Sequence, residues 1–490
     1  MPHKNASQKP HSYLVLMHPM LARIPTQFKI LLIFLLWGGL VLLFHLLRFD
    51  PYGIEEPAAR ALLLNWTVAD QVVNPIVVFG LPDLRVLLFA PLGIYWSGSI
   101  VAVKVFTLII AFAACLLLYR WARRLMNEEV ALIGTGLLLI APLTFAQVNA
   151  IGVGPFLLLL FALGQWLDEK YRQSGRQLGG WYFLQMILAA VAVSLHPAGL
   201  AYPLALMWEW YKNPIDKRHR IQVMAGLAIS TVLILILRLG WPALQWGTNP
   251  MAALTDLVYV MGPASKGPTW VLGFIPSGIL LLLVLSDLRE LFRDLLGRML
   301  LGGLLFGIVA AGPGWAMLGL AIMVYRGLFK LININQGLQA GGLMGQRGIV
   351  LIAVFALATT YMINEKVQRY DIRLGAVSPQ DDIIRTLSGE LEDLKKPAAT
   401  ISQWPARTLL ATKHTTFPLP PPAPNAQALL KNLHGAHFLI FNPYDKSNAQ
   451  LTRQVSELAL NLKTIMVKRD AVLVEIVDTS KKGATSAKHS

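Results

Sequence analysis

Long apolar runs separated by short basic segments cover most of the first 366 residues. Runs of about 18 residues or more, such as 29–47 and 99–119, are long enough to cross the hydrocarbon core of a bilayer as helices. The run at 99–119 is closed by the basic sequence RWARR at 120–124. This pattern predicts an all-α polytopic membrane region.

The basic segments also predict how the chain crosses the membrane. When loops alternate from a cytoplasmic N-terminus, every clearly basic loop lies in the cytoplasm, as the positive-inside rule requires. The long loops 48–97 and 241–268 then lie outside, in a multi-pass protein that we place in a bacterial inner membrane. The eleven predicted spans are residues 29–47, 99–119, 129–146, 151–167, 181–196, 198–210, 222–240, 270–287, 299–312, 314–328 and 348–364.

Composition supports this interpretation. Of 490 residues, 55% are hydrophobic and 14% are charged, whereas an ordinary soluble domain has about 25% charged residues. The net charge of +16 would suggest a nucleic-acid partner in a soluble protein. Here the basic residues lie mainly in short loops between spans, so membrane topology explains them and no nucleic acid is expected. The single cysteine, Cys115, excludes a disulfide within one chain and a cysteine metal site.

The tail is polar and has a different pattern. Residues 1–28 are predicted to be a cytoplasmic tail, 29–366 the transmembrane domain, and 367–490 a small extracytoplasmic α/β domain with a Pro-rich connector at 417–424. No glycine-rich phosphate-binding motif accompanies it, so nucleotide binding is not expected. Strand character is found at 406–412, 437–443, 463–469 and 471–477, and helical periodicity at 425–435 and 447–463.

The stretch FDPYGIEEPAARALLL, residues 49–64, places two acids beside the membrane. Pro57 directly after Glu56 suits the first turn of a helix, and 57–71 is predicted to be a helix lying along the membrane surface. An acid just before a helix is also an ordinary capping or solvated group. The residues alone therefore leave both a structural and a catalytic role open.

The order of several features resembles the GT-C membrane glycosyltransferases, which include the protein O-mannosyltransferases and the aminoarabinose transferases of lipid A. The resemblance covers roughly residues 30–210. It rests on a first span followed by the pair Glu55–Glu56, the segment GLPDLRVLLFAPLGIYW (80–96), a span with a basic residue near its start (Ala102–Val105), the stretch 116–147, and SLHPAGL (194–200).

The resemblance implies a transferase that uses a polyprenyl-phosphate sugar at the outer face. It implies that Glu55 is the general base, with Glu56 as the second candidate, because a weakly acidic acceptor hydroxyl must lose its proton as it attacks. His196 is a further candidate for the donor phosphate, although a lone His before Pro is more often a local polar break. The outward basic candidates for pairing with the donor phosphate are Arg85, Lys104, Arg238 and Lys266.

Cofactors, partners and alternatives complete the hypothesis. No cofactor is expected, because the clustered carboxylates and histidines of a tight metal site are lacking; a loosely bound divalent cation stays open. The expected partners are the bilayer, the donor, and an envelope lipid, glycan or protein as acceptor. A catalytically silent relative that binds lipid-linked sugar or scaffolds an envelope complex is the alternative, because the family's first acid is usually Asp rather than Glu. A transporter is less favoured, since no internal repeat is evident.

Overall fold

The computed structural model describes most of the chain outside its two ends and two long internal gaps. Its described residues are 32, 35, 37–39, 50–70, 85–96, 98–125, 128–175, 179–212, 217–237, 282–286, 288–309, 316–327, 330, 379–394, 398–433, 435–458, 461–468 and 471–477.

Helices form the larger, first part of the described chain. A 3-10 turn, Pro197–Leu200, leads from α7 into α8, and a π-helical turn, Met323–Gly327, follows α12. The helices are α1 (Glu56–Asp70), α2 (Arg85–Tyr95), α3 (Ile100–Leu125), α4 (Glu128–Ile140), α5 (Pro142–Ala150), α6 (Gly154–Gln173), α7 (Gly180–Leu195), α8 (Ala201–Lys212), α9 (Lys217–Leu237), α10 (Leu288–Leu291), α11 (Leu295–Val309) and α12 (Ala316–Ile322).

Helix α3 shows the match between apolar length and a bilayer most clearly. It has 26 residues, and among the described residues it is the one helix that is long and apolar enough to cross a membrane by itself. Helices α4 and α5 meet that requirement together, across a bend of 52°. The bend lies at Pro142, which cannot donate a helical hydrogen bond and holds Ala141 in an extended conformation.

The full count of eleven spans stays a prediction. Four shorter apolar helical segments of 10 to 17 residues lie in the described ranges: Gly180–Leu195, Arg220–Leu233, Leu295–Gly307 and Met317–Gly327. The predicted spans 29–47, 270–287 and 348–364 lie wholly or mostly outside the described residues.

Helix α6 packs against α3, α7, α11 and α12 and so organises the helical part. Close packing continues where α7 passes into α8. A Cβ at Gly199 would lie 1.9 Å from the backbone oxygen of Ala192, so only glycine allows the 3-10 turn to lie against the end of α7.

Buried charges join the ends of α6, α8 and α11. Arg172 donates to Asp168 at 2.6 Å and to Glu209 at 2.7 Å. Glu209 also accepts from Arg298. Basic residues of the segments between predicted spans at 168–180 and 288–298 therefore also tie helix ends together, in addition to any effect on topology.

The C-terminal described residues form a five-stranded mixed sheet in the order β2-β1-β3-β5-β4. Strand β1 is parallel to β2 and β3, whereas β5 is antiparallel to β3 and β4. The strands are β1 (Thr400–Ser402), β2 (Thr416–Pro418), β3 (Phe438–Phe441), β4 (Leu462–Lys468) and β5 (Ala471–Ile476), and the helices are α13 (Pro379–Asp393), α14 (Pro405–Thr412), α15 (Ala426–Asn432) and α16 (Ala449–Glu457).

Most of the predicted C-terminal elements are confirmed. Strands occupy the predicted segments 437–443, 463–469 and 471–477, and α15 and α16 lie within 425–435 and 447–463. The boundary of the predicted domain at 367 and its extracytoplasmic location stay predictions.

One detail of the tail was wrong. The predicted strand at 406–412 is helix α14, because Pro405 is pre-organised for a first helical turn and good helix formers follow it. The Pro-rich segment 417–424 begins in β2 and leads towards α15, and Ala423 is buried in the apolar core of the sheet.

Both faces of the sheet are covered, so its central strands are buried on both sides. Alternate residues of β3 point to opposite faces. Leu439 and Phe441 pack with residues of α15, whereas Phe438 and Ile440 pack with α13. Tyr52, in the segment that leads to the acidic pair, packs against this second face. That segment therefore contacts the C-terminal sheet region.

Candidate functional site

The candidate site is built on the segment that leads into α1. Gly53 has φ of 79°, a conformation that glycine adopts without strain. Its backbone N–H donates to Asp381 at 3.0 Å. At the start of the segment, the Asp50 carbonyl accepts from the Lys104 side chain at 3.0 Å. The turn before the acidic pair is therefore held by both α3 and α13.

Helix α1 begins where the sequence predicts, with Pro57 in its first turn. The Glu55 carbonyl accepts from the N–H of Ala59 at 2.9 Å, as the residue before a helix does. The Glu55 N–H donates to the carbonyl of Ala150 at 2.9 Å. This bond fixes the start of α1 against the end of α5.

The Glu55 carboxylate faces Arg85, the first residue of α2. Oε2 of Glu55 lies 3.8 Å from Nη1 of Arg85, whose side chain is fully buried, while 20% of the Glu55 side chain is exposed. The same Nη1 donates to the carbonyl of Ile151. One guanidinium therefore joins the starts of two helices to the turn after α5, and a buried positive charge lies beside a glutamate whose side chain is partly exposed.

The turn after α5 approaches the same carboxylate closely. A Cβ at Gly152 would lie 2.2 Å from Oε1 of Gln147 and 3.0 Å from Oε1 of Glu55. Gln147 is buried and accepts from the N–H of Gly154 at 3.3 Å. Only a glycine lets the backbone come this near to both side chains.

Ile151 adopts φ of 53° in this turn, although a β-branched residue rarely occupies the left-handed region. Its N–H and that of Gly152 cap the last carbonyls of α5, at 3.1 Å to Val148 and 2.8 Å to Gln147. The capped turn presents the carbonyls of Ala150 and Ile151 to Glu55 and Arg85 respectively.

Glu56 has a different environment from its neighbour. Its carboxylate accepts from the backbone N–H groups of Ala406 at 3.1 Å and Arg407 at 3.0 Å, at the start of α14. It also accepts from Nε of Arg60 at 3.1 Å. Burial raises the pKa of Glu56, and the Arg407 N–H, the Arg60 charge and the Ala406 N–H partly offset that rise. Glu56 thus caps a helix of the C-terminal sheet region.

The remaining donor-phosphate candidates from the sequence differ in their surroundings. Lys104 is fully buried, with the Asp50 carbonyl as a partner. His196 caps the 3-10 turn, since its Nδ1 accepts from the N–H of Ala198 at 3.1 Å. Arg238 and Lys266 lie outside the described residues. Of the predicted basic candidates in the described ranges, the structure brings Arg85 directly to Glu55.

Four residues around the acidic pair were missed by sequence analysis: Gln147, Gly152, Asp381 and Arg407. All lie at least 90 positions from Glu55, and the sequence carries no signal that pairs them with it. The described residues contain no group of three or more His, Cys, Asp or Glu arranged to hold a metal ion.

Comparison with known proteins gives matches among solved structures. No protein-family model matches the sequence, and no curated protein matches it. ArnT from Cupriavidus metallidurans, bound to undecaprenyl phosphate, is 13% identical, with a TM-score of 0.49 over 91% of this chain and 98% of ArnT.

Two structures of the Archaeoglobus fulgidus oligosaccharyltransferase are also similar. The apo form is 12% identical, with a TM-score of 0.50 over 84% of this chain and 69% of that one. The form tethered to an acceptor peptide is 12% identical, with a TM-score of 0.51 over 85% of this chain and 69% of that one. Such low identity speaks for the fold alone. The chain has the fold of the GT-C membrane glycosyltransferases, as its sequence predicts.

Proposed function

We propose that this protein is a membrane glycosyltransferase that moves a sugar from a polyprenyl-phosphate donor to an acceptor at the outer face of the membrane. The acceptor is a hydroxyl or amine of an envelope lipid, glycan or protein. The fold supports the general class. The observation that carries the assignment is Glu55, whose side chain is partly exposed and whose carboxylate lies 3.8 Å from the buried Arg85.

Glu55 acts as the general base. As the acceptor oxygen or nitrogen attacks the anomeric carbon, Glu55 takes its proton, the new glycosidic bond forms, and the bond from that carbon to the phosphate oxygen breaks. The polyprenyl phosphate leaves with the bonding electrons. A positioned base of this kind contributes a rate factor of about 10² to 10⁴.

Arg85 keeps this base in position. A buried arginine attracts the carboxylate and fixes its direction, because the same guanidinium is held by its hydrogen bond to the Ile151 carbonyl. Arg85 and Lys104 are fully buried, and each donates to a backbone carbonyl, of Ile151 and Asp50 respectively. We therefore assign both to holding the 50–56 loop, and keep His196, Arg238 and Lys266 as the predicted phosphate contacts.

The experiment that tests this function supplies purified protein in lipid nanodiscs with a panel of polyprenyl-phosphate sugars and an extract of envelope acceptors. We expect at least one donor to be consumed, with stoichiometric release of polyprenyl phosphate. Binding of a donor without consumption would instead support the catalytically silent relative. Neither binding nor consumption of any donor would refute the proposal.

A further inference from the structure

The C-terminal sheet region forms hydrogen bonds to the residues on both sides of Glu55. On the N-terminal side, Gly53 donates its N–H to Asp381 at 3.0 Å. On the C-terminal side, the Glu56 carboxylate accepts from the N–H groups at the start of α14. Glu55 thus lies between two anchors that belong to a part of the chain more than 320 positions away.

Asp381 and Arg407 connect these two anchors to each other. Oδ1 of Asp381 accepts both the Gly53 N–H and Nη2 of Arg407, the latter at 2.7 Å. Arg407 also donates through Nη1 to Gln380 at 2.9 Å, and its backbone N–H is one of the two that reach Glu56. Only 4% of the Asp381 side chain and 12% of the Arg407 side chain are exposed. Charge-assisted hydrogen bonds this well shielded from water are among the stronger ones in proteins.

Tyr52 adds an apolar contact between this segment and the C-terminal sheet region. Its ring packs against the cluster between α13 and the sheet, and the Arg385 guanidinium carbon lies 5.0 Å from the ring centroid. The residues just before Glu55 are therefore bound by side-chain packing as well as by the Asp381 hydrogen bond.

The opposite side of Glu55 is held by the helical part, through Ala150 and Arg85. A carboxylate fixed from one side only would sample several rotamers, and small displacements of a reacting group reduce the rate strongly. We propose that Asp381 and Arg407 are positioning residues for the Glu55 carboxylate, a role that rests on the transfer reaction proposed above. The C-terminal region is then a part of the active site that does not itself touch the reacting atoms.

The test compares Asp381→Ala with Asp382→Ala in the full-length protein in nanodiscs. Asp382 is the matched control: it is the next residue of α13, and its carboxylate lies 3.5 Å from Lys468 instead of near the 50–56 loop. Hydrogen–deuterium exchange resolved to single amides reports on Gly53 and Glu55, and donor-consumption assays give kcat and KM.

In Asp381→Ala we expect exchange at both amides to rise about tenfold or more, because each bond protects its amide only while the loop stays in place. We expect kcat to fall about tenfold while KM for the donor changes less than about twofold. Asp381→Asn keeps an acceptor oxygen and should recover most of kcat. Asp382→Ala should behave as the wild type. If Asp381→Ala does not fold, Arg407→Lys serves instead, since it removes the guanidinium fork but keeps the backbone N–H; exchange at Glu55 should then rise and kcat should fall, each by less than about tenfold.

Unchanged exchange at Glu55 in Asp381→Ala would overturn the positioning role, and so would an unchanged kcat in an active protein. If the wild type consumes no donor, the proposed reaction fails by itself. Positioning of Glu55 is then decided by the exchange at its amide alone.

Discussion

The backbone N–H of Arg407 donates a 3.0 Å hydrogen bond to the Glu56 carboxylate across 351 positions of sequence. The adjacent Glu55 points to a different partner, Arg85. Two identical neighbours therefore have separate environments, one at a helix cap of the C-terminal region and one against a buried guanidinium. We expect them to respond differently to substitution.

Glu55→Gln should reduce sugar transfer at least about 100-fold, because an amide cannot accept the acceptor's proton. The fold should be kept, with a smaller loss of thermal stability than in Arg85→Met, since Gln has nearly the same shape and still offers an oxygen to Arg85. The rate of polyprenyl-phosphate release and the unfolding midpoint in the same nanodiscs measure both expectations.

Glu457→Gln is the matched control for Glu55→Gln. Glu457 is a half-exposed glutamate that pairs with Arg453 on the surface of α16, and its loss should change neither transfer nor stability. Full activity of Glu55→Gln would remove Glu55 from the chemistry and leave Glu56 as the next candidate.

Gly152→Ala should disturb the packing of the side chains around Glu55. The new Cβ would lie 2.2 Å from Oε1 of Gln147, so Gln147 must move, and the Glu55 carboxylate beside it must shift as well. We expect a cost of about 1–3 kcal/mol in unfolding free energy and a lower transfer rate. Gly136→Ala in α4 is the control, because its Cβ would meet nothing within 4 Å. Equal behaviour of the two variants would show that residues 147–152 tolerate a larger separation from Glu55.

Arg85→Met should destabilise the protein, because it leaves the Ile151 carbonyl without this donor and the Glu55 carboxylate without its nearby positive charge. Removing one partner of a buried pair costs about 3–5 kcal/mol, and the partly exposed Glu55 places the expected value at the low end. Denaturant or thermal unfolding in detergent measures it. Arg453→Met, at a position with 82% of the side chain exposed, should leave the midpoint unchanged. An equally small effect of Arg85→Met would mean that Arg85 does not hold the two helix starts together.

The stability of the folded state should depend on pH through Glu56. Burial raises its pKa above the ordinary value of 4.5, so the folded protein binds this proton more tightly than the unfolded chain. The resulting stabilisation is complete below pH 4.5 and is lost as the pH rises through the raised pKa. Glu56→Gln is uncharged throughout and lacks this loss.

Unfolding midpoints of wild type and Glu56→Gln, measured from about pH 4 to about pH 8, test this sign. The stability of the wild type relative to the variant should fall across the range. A relative stability that increases with pH would show that the N–H groups of Ala406 and Arg407 and the Arg60 charge outweigh burial.

Patterns that extend over many residues were predictable from sequence, and contacts between distant residues were not. Apolar run length predicts α3, and Pro57 predicts the start of α1, because both signals are local. The continuous apolar run of β3 predicts a strand for the same reason. The strand predicted at 406–412 was wrong because Pro405 starts a helix there, although the segment contains branched residues that are common in strands.

Of the site, only the acidic residues Glu55 and Glu56 were predictable from the sequence. The sequence indicates Glu55 and several basic candidates, but it does not say which one faces the carboxylate. Arg85 is paired with it by the packing of α2 against α1, and Asp381 reaches Gly53 only once α13 is in place. Such pairings depend on tertiary structure, which no local pattern encodes.

Ile151 shows how firmly the turn after α5 is shaped. Its side chain is fully buried, and its left-handed backbone costs about 1–2 kcal/mol compared with a relaxed residue. A glycine would make the same turn at a lower conformational cost, but it would also let the neighbouring carbonyls rotate. The branched residue removes that freedom, so the carbonyls of Ala150 and Ile151 point in fixed directions. Residues 150–152 then form a rigid template that sets the register of the acidic start of α1 against the basic start of α2.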